Sequence, residues 1–139
     1  MLIVSPDEPE LLGLVAELAP ALAAGNTVVA AISEKRPLAG LDLAEVLGVS
    51  DVPGGVVNLL SGRRAELALA LAAHRDLNAL VDASADGELA TEIDKLAAES
   101  VTRVRHATAG SSYAEATADP LSRIEAVTEL KTAWHPIGA

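Results

Sequence analysis

Residues 19–34, APALAAGNTVVAAISE, join the end of a predicted helix to a predicted strand, and their reading sets the architecture of the whole chain. Upstream, Leu11, Leu14, Val15, Leu18 and Leu22 keep i, i+3, i+4 spacing, which predicts an amphipathic helix with one apolar side. Gly25-Asn26 is a turn pair, and Thr27 to Ile32 is a β-branched, apolar run without polar alternation. A strand that is apolar on both faces belongs inside a parallel sheet covered by helices. Helix, turn and buried strand make half of a βα unit.

The same alternation extends in both directions. Met1 to Ser5 (MLIVS) is either a buried first strand or a frayed terminus, and Pro6-Asp7-Glu8-Pro9 punctuates the chain before the helix. Downstream, Pro37 stands where a first-turn proline belongs and opens a helix with Leu38, Leu41, Leu43, Val46 and Leu47 on its apolar side, stopped at Gly48. The turn cluster Pro53-Gly54-Gly55 precedes a third strand, Val56 to Leu60. Gly62 then breaks the chain before a helix from Arg63 to His74. Leu77 to Val81 is a fourth strand, and Asp86 caps a helix that carries Leu89, Ile93 and Leu96 inward and ends near Val101. This pattern predicts an α/β fold, a Rossmann-like parallel sheet flanked by helices with right-handed crossovers. From Arg105 to Asp119 no period is sustained, which predicts an ordered loop or bridge. After Leu121 a helical turn leads into TELKTAW, where Leu130, Thr132 and Trp134 line one side of an isolated, extended C-terminal strand. The chain thus divides into a scaffold at 1–104, a bridge at 105–120 and a terminal arm at 121–139.

Composition narrows the function classes. At 139 residues, half of them apolar, the chain suits one domain with a sizeable core. With one Trp, one Tyr and no Phe, that core is filled by small aliphatic side chains, which favours close helix-on-sheet packing over a roomy pocket. A formal net charge of −10 repels phosphate backbones, so nucleic acid is not expected as a partner. No long apolar run or signal-peptide pattern points to a membrane or to export, and the expected compartment is the cytoplasm. The lack of cysteine removes disulfides, thiolate metal sites and a cysteine nucleophile together. His74, His106 and His135 are far apart and have no ligand spacing, so they read as surface or turn histidines and no metal is expected. Ser84 with Asp82 and a distant histidine has the composition of a hydrolase triad, but without GxSxG the serine reads as a helix cap. Glu92, Asp94 and Glu99 read as a solvated helix face, and Trp134 as either a core filler or an interface anchor.

Several stretches resemble the aldehyde dehydrogenase superfamily. Residues 19–34 are similar to that family's APALAAGNTVVLKPSE, and Pro6 to Leu12 falls in ungapped register with its PWNFPLL motif. Val52 to Asn58 is similar to its PPGVVN, Ser61-Gly62 to its TG, His74-Arg75-Asp76 to its HPD-type turn, and Thr128 to Trp134 to its TEVKTVW-like strand near the C-terminus. Together these cover most of residues 1–84 and 124–137.

What the resemblance implies is as much loss as inheritance. The family attacks its aldehyde with a cysteine thiolate, and this chain has none. The family's oxyanion asparagine falls at Glu8, where a carboxylate opposes developing negative charge. The ELGGK-type segment with its general-base glutamate is absent, and too few residues lie between Val101 and Thr128 for the catalytic domain, so no catalytic residue is assigned. Of the cofactor motif KPSE, Ser33 and Glu34 remain while Ala31 and Ile32 replace the lysine and proline. The family's FTGS appears as Val81-Asp82-Ala83-Ser84. Glu34 and Ser84 are therefore vestigial cofactor-binding positions, and Asp82, Asp86 and Glu88 place negative charge where a diphosphate belongs, so binding of NAD or NADP is not expected. In the family the terminal strand pairs with sheet in a neighbouring subunit or domain. That assigns Thr128, Leu130, Thr132 and Trp134 to an interface with a second copy or with a catalytic aldehyde dehydrogenase subunit or domain. The competing expectation is a small dinucleotide-binding sensor, or a half-enzyme completed by a partner's catalytic domain.

Overall fold

A computed structural model describes residues 1–107, 113 and 120–135. Five parallel strands form one sheet: β1 (Leu2–Val4), β2 (Val28–Ala31), β3 (Val57–Leu60), β4 (Ala79–Asp82) and β5 (Arg103–His106). Their spatial order is β3-β2-β1-β4-β5. The first strand lies in the middle, with Leu2 opposite Val29 on one side and Leu80 on the other. Met1 to Ser5 is therefore a buried strand and not a frayed end: Leu2, Ile3 and Val4 are fully enclosed, each contributing about 1.5–3 kcal/mol of burial.

Helices α1 (Glu10–Ala23), α2 (Leu38–Gly48), α3 (Arg64–Ala72) and α4 (Gly87–Ser100) connect successive strands, and α5 (Pro120–Ala126) follows the sheet. Right-handed crossovers put α1 and α2 on one face and α3 and α4 on the other. Two cores result. Ile3, Leu14, Leu18, Val28, Ile32 and Val127 fill the first, and Leu2, Val4, Ala68, Ala72, Leu80 and Ile93 fill the second. The α2 helix approaches the sheet through Gly40, where a Cβ would sit 2.9 Å from the Ile32 side chain. Asp86 caps α4 as predicted, its Oδ1 accepting from the backbone N–H of Glu88 and Leu89 at 3.1 Å each.

Three expectations need correction. The fifth strand, Arg103–His106, was not predicted, so Arg105 and His106 belong to the sheet and not to an irregular bridge. An edge strand is solvated on one side, and RVRH carries only one apolar residue, too little to signal β structure. Apart from Ala107, Tyr113 and Pro120, the rest of that bridge lies outside the described residues. The predicted apolar sides of α1 and α2 are only partly buried: Leu11, Val15, Leu38, Leu41 and Val46 face outward. On α1 the inward stripe includes Glu17, described below. Finally, Trp134 is 87% exposed and fills no core.

Candidate functional site

In an open parallel sheet, ligands bind beyond the carboxyl ends of the strands, at the point where the strand order reverses. Here that point lies between β1 and β4. The segment after β1 carries Asp7, which accepts from Ser33 Oγ at 2.8 Å and from the Lys35 backbone N–H at 3.4 Å, and pairs with the Arg64 guanidinium. Burial pushes the Asp7 carboxyl up, but the Ser33 and Arg64 hydrogen bonds and the Arg64 charge outweigh it and hold the group below the usual carboxylate range. Arg64 is the first residue of α3, and its backbone N–H donates to Glu34 Oε2 at 2.8 Å. Glu34 thus sits at a helix N-terminus as its anion. Glu8, at the position of the expected oxyanion donor, pairs with Arg36 at 2.6 Å on the surface.

Across β1, Ser84 follows β4. Its backbone N–H donates to Asp82 Oδ1 at 2.9 Å, and its Oγ accepts from the Asp86 N–H at 3.2 Å. Glu34 follows β2 and Ser84 follows β4, the two neighbours of β1, and each is already engaged by its own surroundings. Asp86 fills the N-terminus of α4. Ala31, where the resemblance implies a lysine, is fully buried.

His106 is not a free surface histidine. Its ring lies between Asp82 Oδ2 (3.2 Å) and Asp94 Oδ1 (2.9 Å), joining β4, β5 and α4. Burial alone would lower its pKa; the hydrogen bonds and charges of Asp94 and Asp82 raise it above the ordinary value. Sequence reasoning missed this because β5 was missed. Among the described residues no group of three or more His, Asp or Glu side chains is arranged to hold a metal ion. No described helix is long and apolar enough to cross a membrane.

The root of the terminal arm is built as carefully as the sheet end. Glu17, on the inward stripe of α1, has a fully buried carboxylate paired with Arg105 of β5 and with Arg123 of α5, the latter at 2.8 Å. Pro20 has no N–H to give the Ala16 carbonyl one turn back, and Arg123 Nη1 donates to it instead, at 3.0 Å. Val127 is buried, its carbonyl accepting from Asn26 Nδ2 at 3.1 Å, and the Thr128 carbonyl accepts from Arg103 at 2.7 Å. Beyond this root, residues 128–135 have no helix or strand pairing among the described residues, and Leu130 is 95% exposed. Of the four predicted interface residues, Thr128 is tied down within the described residues, its Oγ1 donating to the Ile124 carbonyl at 2.7 Å.

The family model for the aldehyde dehydrogenase family matches residues 3–127. Over 100 residues the chain is 34% identical to human retinaldehyde dehydrogenase 3, a match covering 72% of this chain and 19% of that protein. Over 64 residues it is 42% identical to the NADP/NAD-dependent aldehyde dehydrogenase PuuC of Escherichia coli, covering 46% of this chain and 13% of that one. Among solved structures it is similar to an aldehyde dehydrogenase from Bartonella henselae, with a TM-score of 0.71, 30% identity, and coverage of 76% of this chain and 22% of that one. It is likewise similar to 3,6-anhydro-L-galactose dehydrogenase in complex with NAP, with a TM-score of 0.69, 26% identity, and coverage of 78% and 23%. The chain therefore spans about a fifth of the length of the human relative it matches.

Proposed function

Because the chain belongs to the aldehyde dehydrogenase family, we propose that it serves as a catalytically inactive module of that family. In this reading it acts by association: its C-terminal strand assembles it with, or stabilises, a catalytic aldehyde dehydrogenase or further copies of itself. The observation that carries this reading is the arm. Val127 is locked into the core while Leu130 and Trp134, spaced for one side of a strand, stand in solvent. Unpaired strand backbone and exposed apolar side chains are both relieved by joining another sheet.

The chemistry of the remaining residues supports the same reading. With no cysteine in the sequence there is no thiolate, and Glu8 opposes an oxyanion. The donor set does not fit a nicotinamide dinucleotide: Asp86 caps α4 and Glu34 caps α3, so two helix N-termini that attract phosphate already hold carboxylates.

Deleting residues 128–139 is the direct test. The α/β body should stay folded by circular dichroism while its mass in light scattering falls towards monomer, or while it no longer co-purifies with a catalytic aldehyde dehydrogenase. An unchanged assembly refutes the arm's role. The purified chain should show no aldehyde-dependent reduction of NAD or NADP, and no saturable heat at millimolar NAD. A micromolar Kd would favour the sensor or half-enzyme reading, in which Glu34 and Ser84 still contact cofactor.

A further inference from the structure

Both ring nitrogens of His106 face carboxylates, and that arrangement fixes how many protons the ring carries. Nδ1 lies 3.2 Å from Asp82 Oδ2, and Nε2 lies 2.9 Å from Asp94 Oδ1. An ionised carboxylate only accepts hydrogen bonds, and a neutral imidazole has a single N–H to give. Both contacts are therefore hydrogen bonds only when the ring is an imidazolium. Once one proton leaves, a nitrogen lone pair faces an anion, and one of the two contacts is lost.

The two carboxylates are not equivalent. The Asp82 side chain is 3% exposed, whereas that of Asp94 is 56% exposed. On Asp82 the other oxygen, Oδ1, already accepts from the Ser84 N–H. A buried carboxylate that loses a donor has no water to replace it, while one in solvent is rehydrated at little cost. The last ring proton thus belongs on Nδ1, against Asp82, and Asp94 is the partner given up. Among the described residues no other charged side chain pairs with the ring. Asp86, from α4, lines the same hollow as the ring, but its Oδ1 is engaged by the Glu88 and Leu89 N–H groups. Arg105, next to His106 on β5, turns to the opposite face of the sheet to meet Glu17.

We propose that His106 is a pH-operated latch between the sheet and α4: as an imidazolium it ties Asp82 to Asp94, and as a neutral Nδ1–H ring it keeps Asp82 and releases Asp94. Asp86, Ala90 and Asp94 follow one another at four-residue intervals along one side of α4. Asp82, Asp86, Ala90 and the ring line a hollow of about 170 Å3 beyond the carboxyl end of β4. Release of Asp94 therefore frees the side of the helix that walls this hollow. Burial alone would lower the ring's pKa, but Asp94 and Asp82 raise it above the ordinary 6.5, which places the release above that value. The latch is independent of how the terminal arm associates.

Nitrogen NMR of the imidazole rings in the full chain reads the tautomer directly, with His106 assigned by its loss in a His106→Gln variant. The ring should titrate above pH 6.5 and carry its remaining proton on Nδ1. In parallel, amide hydrogen exchange at Ala90 and Asp94, corrected for the intrinsic rate, should lose about tenfold in protection once the ring is neutral, the scale of one charge-assisted hydrogen bond. Asp94→Asn should remove that pH dependence, because an amide N–H can donate to Nε2 of the neutral ring and keep α4 tied. A neutral ring protonated on Nε2 overturns the proposal. So does protection that is constant with pH, or that falls equally in Asp94→Asn. Circular dichroism should stay constant over the same range, and unfolding of the whole chain in step with the loss of protection would also overturn it.

Discussion

At the scale of single residues, Glu17 is the most consequential side chain. A buried carboxylate survives in an apolar stripe only because two guanidiniums meet it, and those guanidiniums bring β5 and α5 onto α1. Glu17→Gln should therefore cost about 3 kcal/mol in urea unfolding, at the low end of the range for a broken buried pair because both arginines keep some contact with water. His106 gives the chain a pH dependence of definite sign. Its pKa is raised in the fold above the ordinary 6.5, so its contribution is complete below that value and is lost as pH rises through the higher folded value. Thermal melts of wild type should decline more than those of His106→Gln above about pH 6.5, with the difference closing once the ring is neutral in the fold. Asp7 works in the opposite direction. Its pKa is depressed below 3.8, so its stabilisation is present above that value and fades as pH falls through the lower folded one. Asp7→Asn should flatten the acid limb of the stability curve.

At the scale of elements, two backbone positions make clear predictions. The α4 helix ends at Val101, a β-branched residue held at φ 56° and 89% exposed. Glycine accepts that left-handed conformation without strain, so Val101→Gly should raise stability by about 1 kcal/mol, read from the denaturation midpoint. Gly13 lies on α1 against the Pro6 ring, where a Cβ would collide with the ring carbons. Gly13→Ala should therefore destabilise by about 1–3 kcal/mol despite alanine's higher helix propensity. These elements also mark how far the sequence could be read. Strands β1 to β4 are apolar runs bounded by Gly, Pro and Asp, and the Asp86 cap announces α4, so they were legible. Strand β5 was not, since its stabilisation comes from pairing with β4 and from contacts of Arg105 and His106 that no local pattern encodes. Glu17 was hidden for a related reason: its partners lie 88 and 106 residues further along the chain. The capping roles of Glu34 and Asp86 at the sheet end show the same split. Asp86 acts on its own helix and was anticipated, whereas Glu34 reaches α3, 30 residues away, and was not.

For the whole molecule, charge and topology set the behaviour. Two copies that each carry −10 repel one another, so any self-association through the arm should tighten as salt is raised from low to moderate ionic strength, measured by sedimentation velocity. Weakening with salt would point instead to an interface built on ion pairs. The order β3-β2-β1-β4-β5 has a further consequence, for biosynthesis. Strand β1 is made first yet lies at the centre, and β4, which covers its second side, ends at residue 82. At about 5–20 residues per second, the ribosome needs roughly one to four seconds to add the 22 residues between the end of β3 and the end of β4. During that interval a nascent three-stranded unit presents the bare backbone of Leu2–Val4, flanked by apolar side chains, to whatever is near. The stretch of chain most exposed to a chaperone, or to a neighbouring nascent chain, is thus the strand that ends up most deeply enclosed.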